Sequence, residues 1–388
     1  MQYRNFGKLK WKASALGFGA MRLPIIGNDQ SNVDQAESIR MIRYAIDQGI
    51  NYLDTGYPYH NGQSERVVGL ALKDGYRQKM KLATKLPARM VEKPEDFDRF
   101  LSEQLDRLQM DKLDFYLLHG LTAQSWPKVR DFGIIPWAEK KMSQGLFDYL
   151  GFSFHDNYDT FKVIIDSYDN WTLSQIQYNY VDVNNQAGRR GVEYAASKGL
   201  AIVVMEPIRG GRLSRKPPER VAEAWGNALN LRTQAEWALS WVWNQPEISL
   251  ALSGMSNMEQ VKENLASAEK SRVQMLSSDD LARIDRVREA YQNSNPVPCT
   301  GCNYCQPCQN GVAIPGIFEI YNEAIVYGET RQGRANYQGF GPRGLKPEQR
   351  ADQCIECGTC VEACPQKIAI PEWLKKAHTF LGPKPINS

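Results

Sequence analysis

Two sets of side chains in this sequence could do chemistry. The first is a set of thiols. All eight cysteines lie between Cys299 and Cys364, and none occurs earlier. They form two runs, Cys299-Thr-Gly-Cys302-Asn-Tyr-Cys305-Gln-Pro-Cys308 and Cys354-Ile-Glu-Cys357-Gly-Thr-Cys360-Val-Glu-Ala-Cys364-Pro365. The second run reads C-x2-C-x2-C-x3-C-P, a spacing that ligates [4Fe–4S] clusters. The first run is the same with one residue missing before its last cysteine. Thiolates three residues apart on a turning backbone reach three corners of one cubane, and the fourth corner must come from elsewhere. The alternative is zinc, with four thiolates around each of two ions. The repeated spacing of three and the terminal Cys364-Pro365 favour clusters. The second set is Asp54, Tyr59, Lys85 and His119, each at the end of a short apolar run or in the loop after it. A phenol with pKa about 10 is a poor acid at neutral pH. A nearby ammonium lowers that pKa, and a carboxylate holds the ammonium in place. An imidazole can orient a carbonyl oxygen. Together they can protonate an oxygen as hydride reaches its carbon.

These groups need a frame that brings them to one place. Short apolar strands are expected at Ala15–Gly19, Asn51–Asp54, Lys81–Thr84, Leu113–Leu118, Tyr149–Phe152, Ile176–Tyr178, Ala201–Met205 and Ile248–Leu252. Helical periodicity fits Val33–Gln48, Ser64–Leu72, Pro94–Leu108, Tyr158–Tyr168, Gly188–Ser197, Thr233–Asn244 and Met258–Ser267. That alternation has the size and rhythm of a (β/α)8 TIM barrel, whose chemistry sits at the C-terminal ends of its strands. A doubly wound sheet is the rival, because alternation alone does not close a barrel. A short hairpin with Phe6-Gly7-Lys8-Leu9 at its turn precedes the first strand. An amphipathic helix, Ser278–Gln292, leads to Asn293-Ser-Asn-Pro-Val-Pro298, which reads as a linker. The division is therefore 1–292 for the barrel and 293–388 for a small cysteine-rich domain. In that tail, Cys308-Gln-Asn-Gly-Val-Ala-Ile-Pro315 repeats in spacing as Cys364-Pro-Gln-Lys-Ile-Ala-Ile-Pro371. Between them a helix is expected at about Ile317–Tyr327, then a Gly- and Arg-rich loop, Gly328–Gly344.

Asp54-Thr-Gly-Tyr-Pro-Tyr59, Thr84-Lys85 and Leu117-Leu118-His119 resemble the Asp–Tyr–Lys–His tetrad of the aldo-keto reductases, (β/α)8 barrels that use NAD(P)H. The resemblance covers roughly residues 1–290. It implies Tyr59 as the acid, Lys85 and Asp54 as its tuners and His119 as the carbonyl orienter. Gly151-Phe-Ser-Phe-His155 resembles a family stretch that brings Ser153 to the cofactor. Gln177 and Asn179 resemble the pair supporting the nicotinamide carboxamide and its stacking aromatic. Met205-Glu-Pro207-Ile-Arg-Gly210-Gly211 resembles the loop that closes over the diphosphate. Ser253-Gly254-Met-Ser256 with Gln260, Glu263 and Asn264 resembles the segment holding the adenosine end. Relatives that prefer NADPH often carry a Lys and an Arg there to pair with the 2′-phosphate, whereas Gly254 and Gln260 stand at those places here. The cofactor implied is NADP or NAD. The cysteine runs resemble bacterial two-cluster ferredoxins, ferredoxin-like α+β domains in which the last cysteine of each run serves the other cluster. That resemblance implies Cys299, Cys302, Cys305 and Cys364 for one [4Fe–4S] cluster, and Cys354, Cys357, Cys360 and Cys308 for the second.

Composition bounds the partners. A net charge of +3 over 388 residues offers no basic field for nucleic acid or anionic lipid. No run of about 18 apolar residues predicts a membrane span. The N-terminal residues lack the apolar region of a signal peptide, which points to the cytoplasm, where dense C-x2-C spacing means metal more often than disulfide. The reading is an oxidoreductase acting on a small carbonyl or alcohol, its hydride chemistry coupled to or accompanied by iron–sulfur electron transfer, with a redox partner protein as a further partner. The alternative is an electron carrier whose barrel is a docking or regulatory body. Gly17-Phe-Gly19-Ala-Met-Arg22 lacks the third glycine of a dinucleotide fingerprint and reads as strand and loop geometry. His60 and His155 read as surface or pocket-wall residues, and His378 has no partner that the sequence names.

Overall fold

The computed structural model describes residues 1–383 other than 28, 295, 300, 327, 329, 342 and 343. Asn295 of the expected linker, Tyr327 of the expected helix, and Glu329, Pro342 and Arg343 of the expected loop lie outside the described residues. The chain divides into two compact units, one of residues 1–214 and 232–278, the other of residues 215–231 and 279–388.

In the first unit a hairpin of β1 (Tyr3–Phe6) and β2 (Leu9–Ser14) precedes eight parallel strands. These are β3 (Leu16–Gly19), β4 (Tyr52–Asp54), β5 (Lys81–Leu86), β6 (Leu113–Leu121), β7 (Phe147–Phe154), β8 (Leu173–Gln177), β9 (Ala201–Met205) and β10 (Leu250–Ser253). They pair in sequence order, and β10 closes on β3 through Ala251↔Leu16, Leu252↔Gly17 and Ser253↔Phe18. Closure removes both sheet edges and excludes the doubly wound alternative. The expected strands are all present, several of them longer. Lys85 and His119 stand inside β5 and β6 rather than after them.

The hairpin covers the N-terminal end of the barrel. Phe6 lies 5.2 Å from Phe115 and 5.9 Å from Tyr52, ring centre to ring centre, in a buried cluster with Ala201, Val203 and Leu250. At its turn, Gly7 has φ +54°, and a Cβ there would stand 2.5 Å from the Ala201 nitrogen. Only glycine fits so close an approach with that backbone. With this end sealed, the C-terminal strand ends form the open face. Side-chain caps set the start of several outer helices: Asp34, Asn157, Thr233 and Asn257 each accept a backbone N–H from the first turn. Two helices that the periodicity does not reveal, Ser125–Asp131 and Ile134–Ser143, fill the β6–β7 connection.

The second unit is built, among the described residues, from helices and turns, without the strands an α+β domain would carry. Its core gathers Val312, Ile314, Ile317, Phe318, Tyr321, Tyr337, Ile368, Ile370 and Leu374. The internal repeat has a structural meaning. Each cysteine run leads through an Ile-Pro pair into a helix, Ile314–Val326 and Ile370–Leu381. Proline is tolerated there because the first helical turn has no partner for its missing N–H. The Gly/Arg-rich stretch contains a helix, Thr330–Tyr337, where a loop is expected. Eight residues with Gly333 inside them make a marginal helix by themselves, and packing decides. Gly333 sits so close to Ala324 that a Cβ would approach to 2.6 Å, and Tyr337 is fully buried. Arg215 pairs with Glu323, tying residues 215–231 into this unit.

Candidate active site

Parallel pairing brings the ends of neighbouring strands together, which is why groups 31 residues apart in sequence can touch. Asp54 ends β4 and Lys85 is the fifth residue of β5. The Lys85 Nζ donates to Asp54 Oδ1 at 2.5 Å, to the Thr55 carbonyl at 2.6 Å and to Tyr59 Oη at 3.1 Å. An ammonium has three protons, and all three are used. Both members of the ion pair are buried, with side chains 1% and 2% exposed. Tyr59 begins a 3-10 turn, Tyr59–Gly62. Its ring lies against Gly56, where a Cβ would stand 3.1 Å from the ring carbons. The next residue, His60, is left-handed and buried. Its Nε2 accepts from the Leu23 N–H at 3.0 Å, so the Nδ1–H donates to the Gln30 carbonyl at 2.9 Å. His60 braces the loop. The Tyr59 and His119 rings meet edge to face, 5.6 Å apart.

The electrostatics separate these groups. Burial works against the Lys85 ammonium, but Asp54 and then Tyr59 outweigh it and hold its pKa above the usual value. Burial raises the Asp54 carboxyl, opposed by Lys85. Burial also raises the Tyr59 phenol above its ordinary range, with Lys85 pulling the other way. The net direction corrects the sequence expectation of a lowered phenol, because desolvation exceeds the pull of one ammonium. Burial, and then the positive charge of Lys85, lowers His119 well below the usual imidazole range. His155, on the neighbouring strand end, falls to about 4 for the same first reason, with Arg89 adding to it. Both shifts favour the neutral ring.

Behind Lys85 lies a buried network that the sequence does not announce. Gln104 donates to the Lys85 carbonyl at 3.0 Å and to Glu65 Oε1 at 2.7 Å. Thr84 Oγ1 donates to Glu65 at 2.6 Å, and Tyr116 Oη donates to Gln104 Oε1 at 2.8 Å. Arg107 closes the network by pairing with Glu65 at 3.2 Å. These bonds fix the backbone that carries the amine. The only sequence signal is Thr84 beside Lys85.

The groups expected at a cofactor lie around the same open face, at the ends of β7 to β10. Ser153 Oγ accepts from the Gly120 N–H at 2.8 Å. Gln177 Nε2 donates to Asp182 at 3.3 Å, and its oxygen accepts from Gln186 at 3.0 Å. Asn179 accepts from the Val181 and Asp182 N–H groups and donates to Asp182 and the Glu206 carbonyl. It is fully engaged within the protein and braces the loop. Met205 ends β9, Pro207 follows, and Gly210 and Gly211 are both left-handed. After β10, Ser253 Oγ accepts from Asn264 at 3.1 Å, and Gln260 Oε1 accepts from the Ser256 N–H at 2.9 Å. Glu263 accepts from Thr233 at 2.5 Å. Gly254 lies under the stem of Arg22, whose guanidinium pairs with Glu206 at 3.5 Å. That ion pair joins two stretches the sequence singles out separately.

In the second unit all eight thiols are free of disulfides. Their mutual influence sorts them into two sets of four. Cys305 is raised to about 12 by burial and then by Cys299, Cys302 and Cys364. Cys360 is raised by burial and then by Cys354, Cys357 and Cys308. Each set takes three thiols from one run and the last of the other. Four thiolates are the donor set of a [4Fe–4S] cluster; burial and mutual repulsion disfavour that charged form in the free thiols, and a cationic core would favour it. Among the described residues no three His, Cys, Asp or Glu side chains are grouped as one bound ion requires; the corners of a cubane stand farther apart than the ligands of one ion. Asn322 holds Val297 before the first run by a reciprocal pair of bonds at 3.0 and 2.7 Å. Tyr337 Oη accepts from the Ala351 N–H before the second run at 3.0 Å and lies 2.7 Å from His378 Nδ1. This gives His378 its partner.

Comparison with known proteins agrees with both halves. Residues 15–289 match the sequence model of the Aldo/keto reductase family, and residues 298–369 match that of the 4Fe-4S dicluster domain. L-galactose dehydrogenase of Arabidopsis thaliana is 27% identical over 314 residues, covering 76% of this chain and 96% of that protein. An aldo-keto reductase of Bacillus halodurans, solved in a holo form, superposes with a TM-score of 0.60 at 27% identity, covering 74% and 96% of the two chains. An aldo/keto reductase of Klebsiella pneumoniae, solved with NADP and acetate, shares the fold with a TM-score of 0.59 at 23% identity, covering 74% and 95%.

Proposed function

The chain belongs to the aldo/keto reductase family, and from that premise we propose that it reduces a small-molecule carbonyl compound, or oxidises the corresponding alcohol, by hydride transfer with NADPH or NADH. The observation that carries the reading is the bonding of Lys85. Tyr59 Oη accepts one of its protons, so the phenol's own hydrogen is left to donate elsewhere. Bound at the open face, the dihydronicotinamide would supply hydride to the carbonyl carbon. The carbonyl oxygen then takes its proton from Tyr59. The phenolate left behind is stabilised by the ammonium 3.1 Å away, and Asp54 keeps that ammonium charged. His119, neutral, donates an N–H to the same oxygen and orients it. In the reverse direction the phenolate accepts the alcohol proton. The donors and glycines at the ends of β7 to β10 are the groups that would hold the dinucleotide.

In this reading the two thiol sets hold two [4Fe–4S] clusters in a cytoplasmic protein. When bound, such clusters exchange single electrons, with a redox partner protein as the other party. The sorting of Cys364 with the first run and Cys308 with the second supports the crossed ligand sets.

The test is an anaerobic preparation with about eight iron atoms, titrated with NADH and NADPH and assayed on a panel of aldehydes and ketones. Tyr59→Phe should lower kcat/KM by roughly 10²–10⁴ while nicotinamide fluorescence quenching persists. An unchanged rate removes Tyr59 from the mechanism, and a chain that quenches no nicotinamide fluorescence points instead to an electron carrier.

A further inference from the structure

The two cysteine runs turn in the same way but carry different chemistry at the turn. In the second run Gly358 is left-handed, φ +81°, and a Cβ there would meet nothing within 4 Å. The chain doubles back in open space, and Thr359 returns to the sulfur of Cys357. In the free thiol the S–H donates to Thr359 Oγ1 at 3.6 Å. A metal-bound sulfur has no proton, so the hydroxyl rotates and donates to the sulfur instead. The Thr359 N–H and the Gln309 side chain reach the same sulfur. The first run turns at Asn303, φ +64°, and is followed by Tyr304, whose hydroxyl is carried on a ring. The hydroxyl that Thr359 carries on Cβ has no counterpart there.

Burial separates the two sets further. Of the eight thiols Cys357 is the one that is exposed, whereas Cys364 is 7% exposed. The crossing places these two in different sets, the open sulfur with Cys354, Cys360 and Cys308, the buried one with the first run. Asn310, just past Cys308, donates to the Gln353 carbonyl at 3.1 Å, which brings the end of the first run beside the start of the second. Reducing a cluster adds a negative charge that its sulfurs share. Donors to those sulfurs and access to water stabilise that charge and raise the reduction potential. Carboxylates near the second run work the other way. Glu356 is paired with Lys375 at 2.8 Å, and Asp352 and Glu362 are exposed, where water and salt screen them.

We propose that Thr359 and the open position of Cys357 make the set of Cys354, Cys357, Cys360 and Cys308 the one that is reduced first and that meets one-electron carriers from outside, while the set containing Cys364 is the inner one. The assignment rests on the two-cluster reading above and adds an order to it. A one-electron carrier that docks gives up one electron and is oxidised by one. That electron settles at the outer set, and the inner set is reduced only once the outer one is filled. Thr359 acts through the Cys357 sulfur, as a tuning residue rather than a ligand.

The experiment is an anaerobic redox titration of the full chain with dithionite and mediators, followed by low-temperature electron paramagnetic resonance, for the unaltered chain and the Thr359→Val and Thr359→Ser variants. The unaltered chain should be reduced in two steps. Thr359→Val, which keeps the shape and loses the hydroxyl, should weaken the first step by about two- to tenfold, the net worth of one hydrogen bond. Tenfold is about 59 mV for one electron. The second step should stay in place, and Thr359→Ser should restore the first. A soluble dysprosium chelate should speed the relaxation of the signal that appears first. Two coincident steps in the unaltered chain overturn the proposal. So does a Thr359→Val variant that moves the second step or neither, or a first signal that the chelate leaves unchanged. If Thr359→Val does not retain its iron, Thr359→Ser and the chelate decide the matter. A chain that holds zinc in place of iron would instead sink the two-cluster reading, and this assignment with it.

Discussion

Replacing Lys85 by methionine tests the site through stability as well as rate. The ammonium is buried, its side chain 1% exposed, and it holds a carboxylate that is 2% exposed. Methionine keeps most of the volume, so the cavity term is small. What changes is electrostatic: Asp54 loses its counter-charge, and the Thr55 carbonyl and Tyr59 Oη lose a donor. Breaking one side of a buried ion pair costs about 3–5 kcal/mol. The pH dependence gives the reasoning a sharper edge. Without Lys85, burial pushes the Asp54 carboxyl well above its unfolded value of about 3.9. A group whose folded pKa is raised loses its stabilising contribution as pH rises through that pKa. The deficit of Lys85→Met relative to the unaltered chain should therefore be largest near pH 8 and shrink toward pH 5. Adding Asp54→Asn should recover most of the loss, since the orphaned charge is then gone. Urea unfolding followed by tryptophan fluorescence at the two pH values measures all three chains. An equal midpoint for Lys85→Met and the unaltered chain at pH 8, or a deficit that does not shrink with acidification and is not recovered in the double variant, refutes the buried-pair account.

Two further outcomes follow from the same geometry. Because His119 is held well below the usual imidazole range and Tyr59 above the usual phenol range, kcat/KM for reduction should be flat through pH 6–8, falling only at high pH as Tyr59 loses its proton; an inflection near pH 6.5 in the pH–rate profile would mean that His119 titrates normally. For the thiols, the crossed sets predict non-additive losses. Cys299→Ser combined with Cys364→Ser should cost about four iron atoms, no more than one cluster, whereas Cys299→Ser combined with Cys308→Ser should cost both. Iron analysis and low-temperature electron paramagnetic resonance distinguish these, and the reverse pattern would assign each run to its own cluster.

Much of the active site can be read directly from the chain. The apolar runs and the residues that end them give the strand order, and strand order in a closed parallel barrel dictates which ends are neighbours. Asp54, Tyr59, Lys85 and His119 are legible as candidates for that reason, and each cysteine run is legible as a ligand set, because ligand spacing is a local property of the backbone; which run supplies the fourth thiol of the other is not local, and came only from the resemblance to two-cluster ferredoxins. The direction of the Tyr59 shift is not local. It depends on how much solvent the closed barrel excludes, and no residue spacing reports that. The Thr330–Tyr337 helix is missed for a related cause: it is eight residues long with Gly333 inside it, too short and interrupted to form by itself, and packing against the neighbouring helix through Gly333 and Ala324 makes it form.

What the sequence by itself determined is the inventory and its order: two groups of chemistry-bearing residues, a strand-and-helix rhythm to carry one of them, and thiol spacing suited to clusters in the other. Tertiary structure alone decided the contacts. Arg22 and Glu206 are 184 positions apart, and each stands in a stretch already conspicuous for its glycines, yet nothing along the chain relates them. They meet because β3, β9 and β10 are adjacent in the closed sheet, and because Gly210 and Gly254 leave the volume that one guanidinium and its stem require. Hydrogen bonds and ion pairs act over a few ångströms, so they belong to the packed molecule, whereas periodicity and spacing belong to the chain.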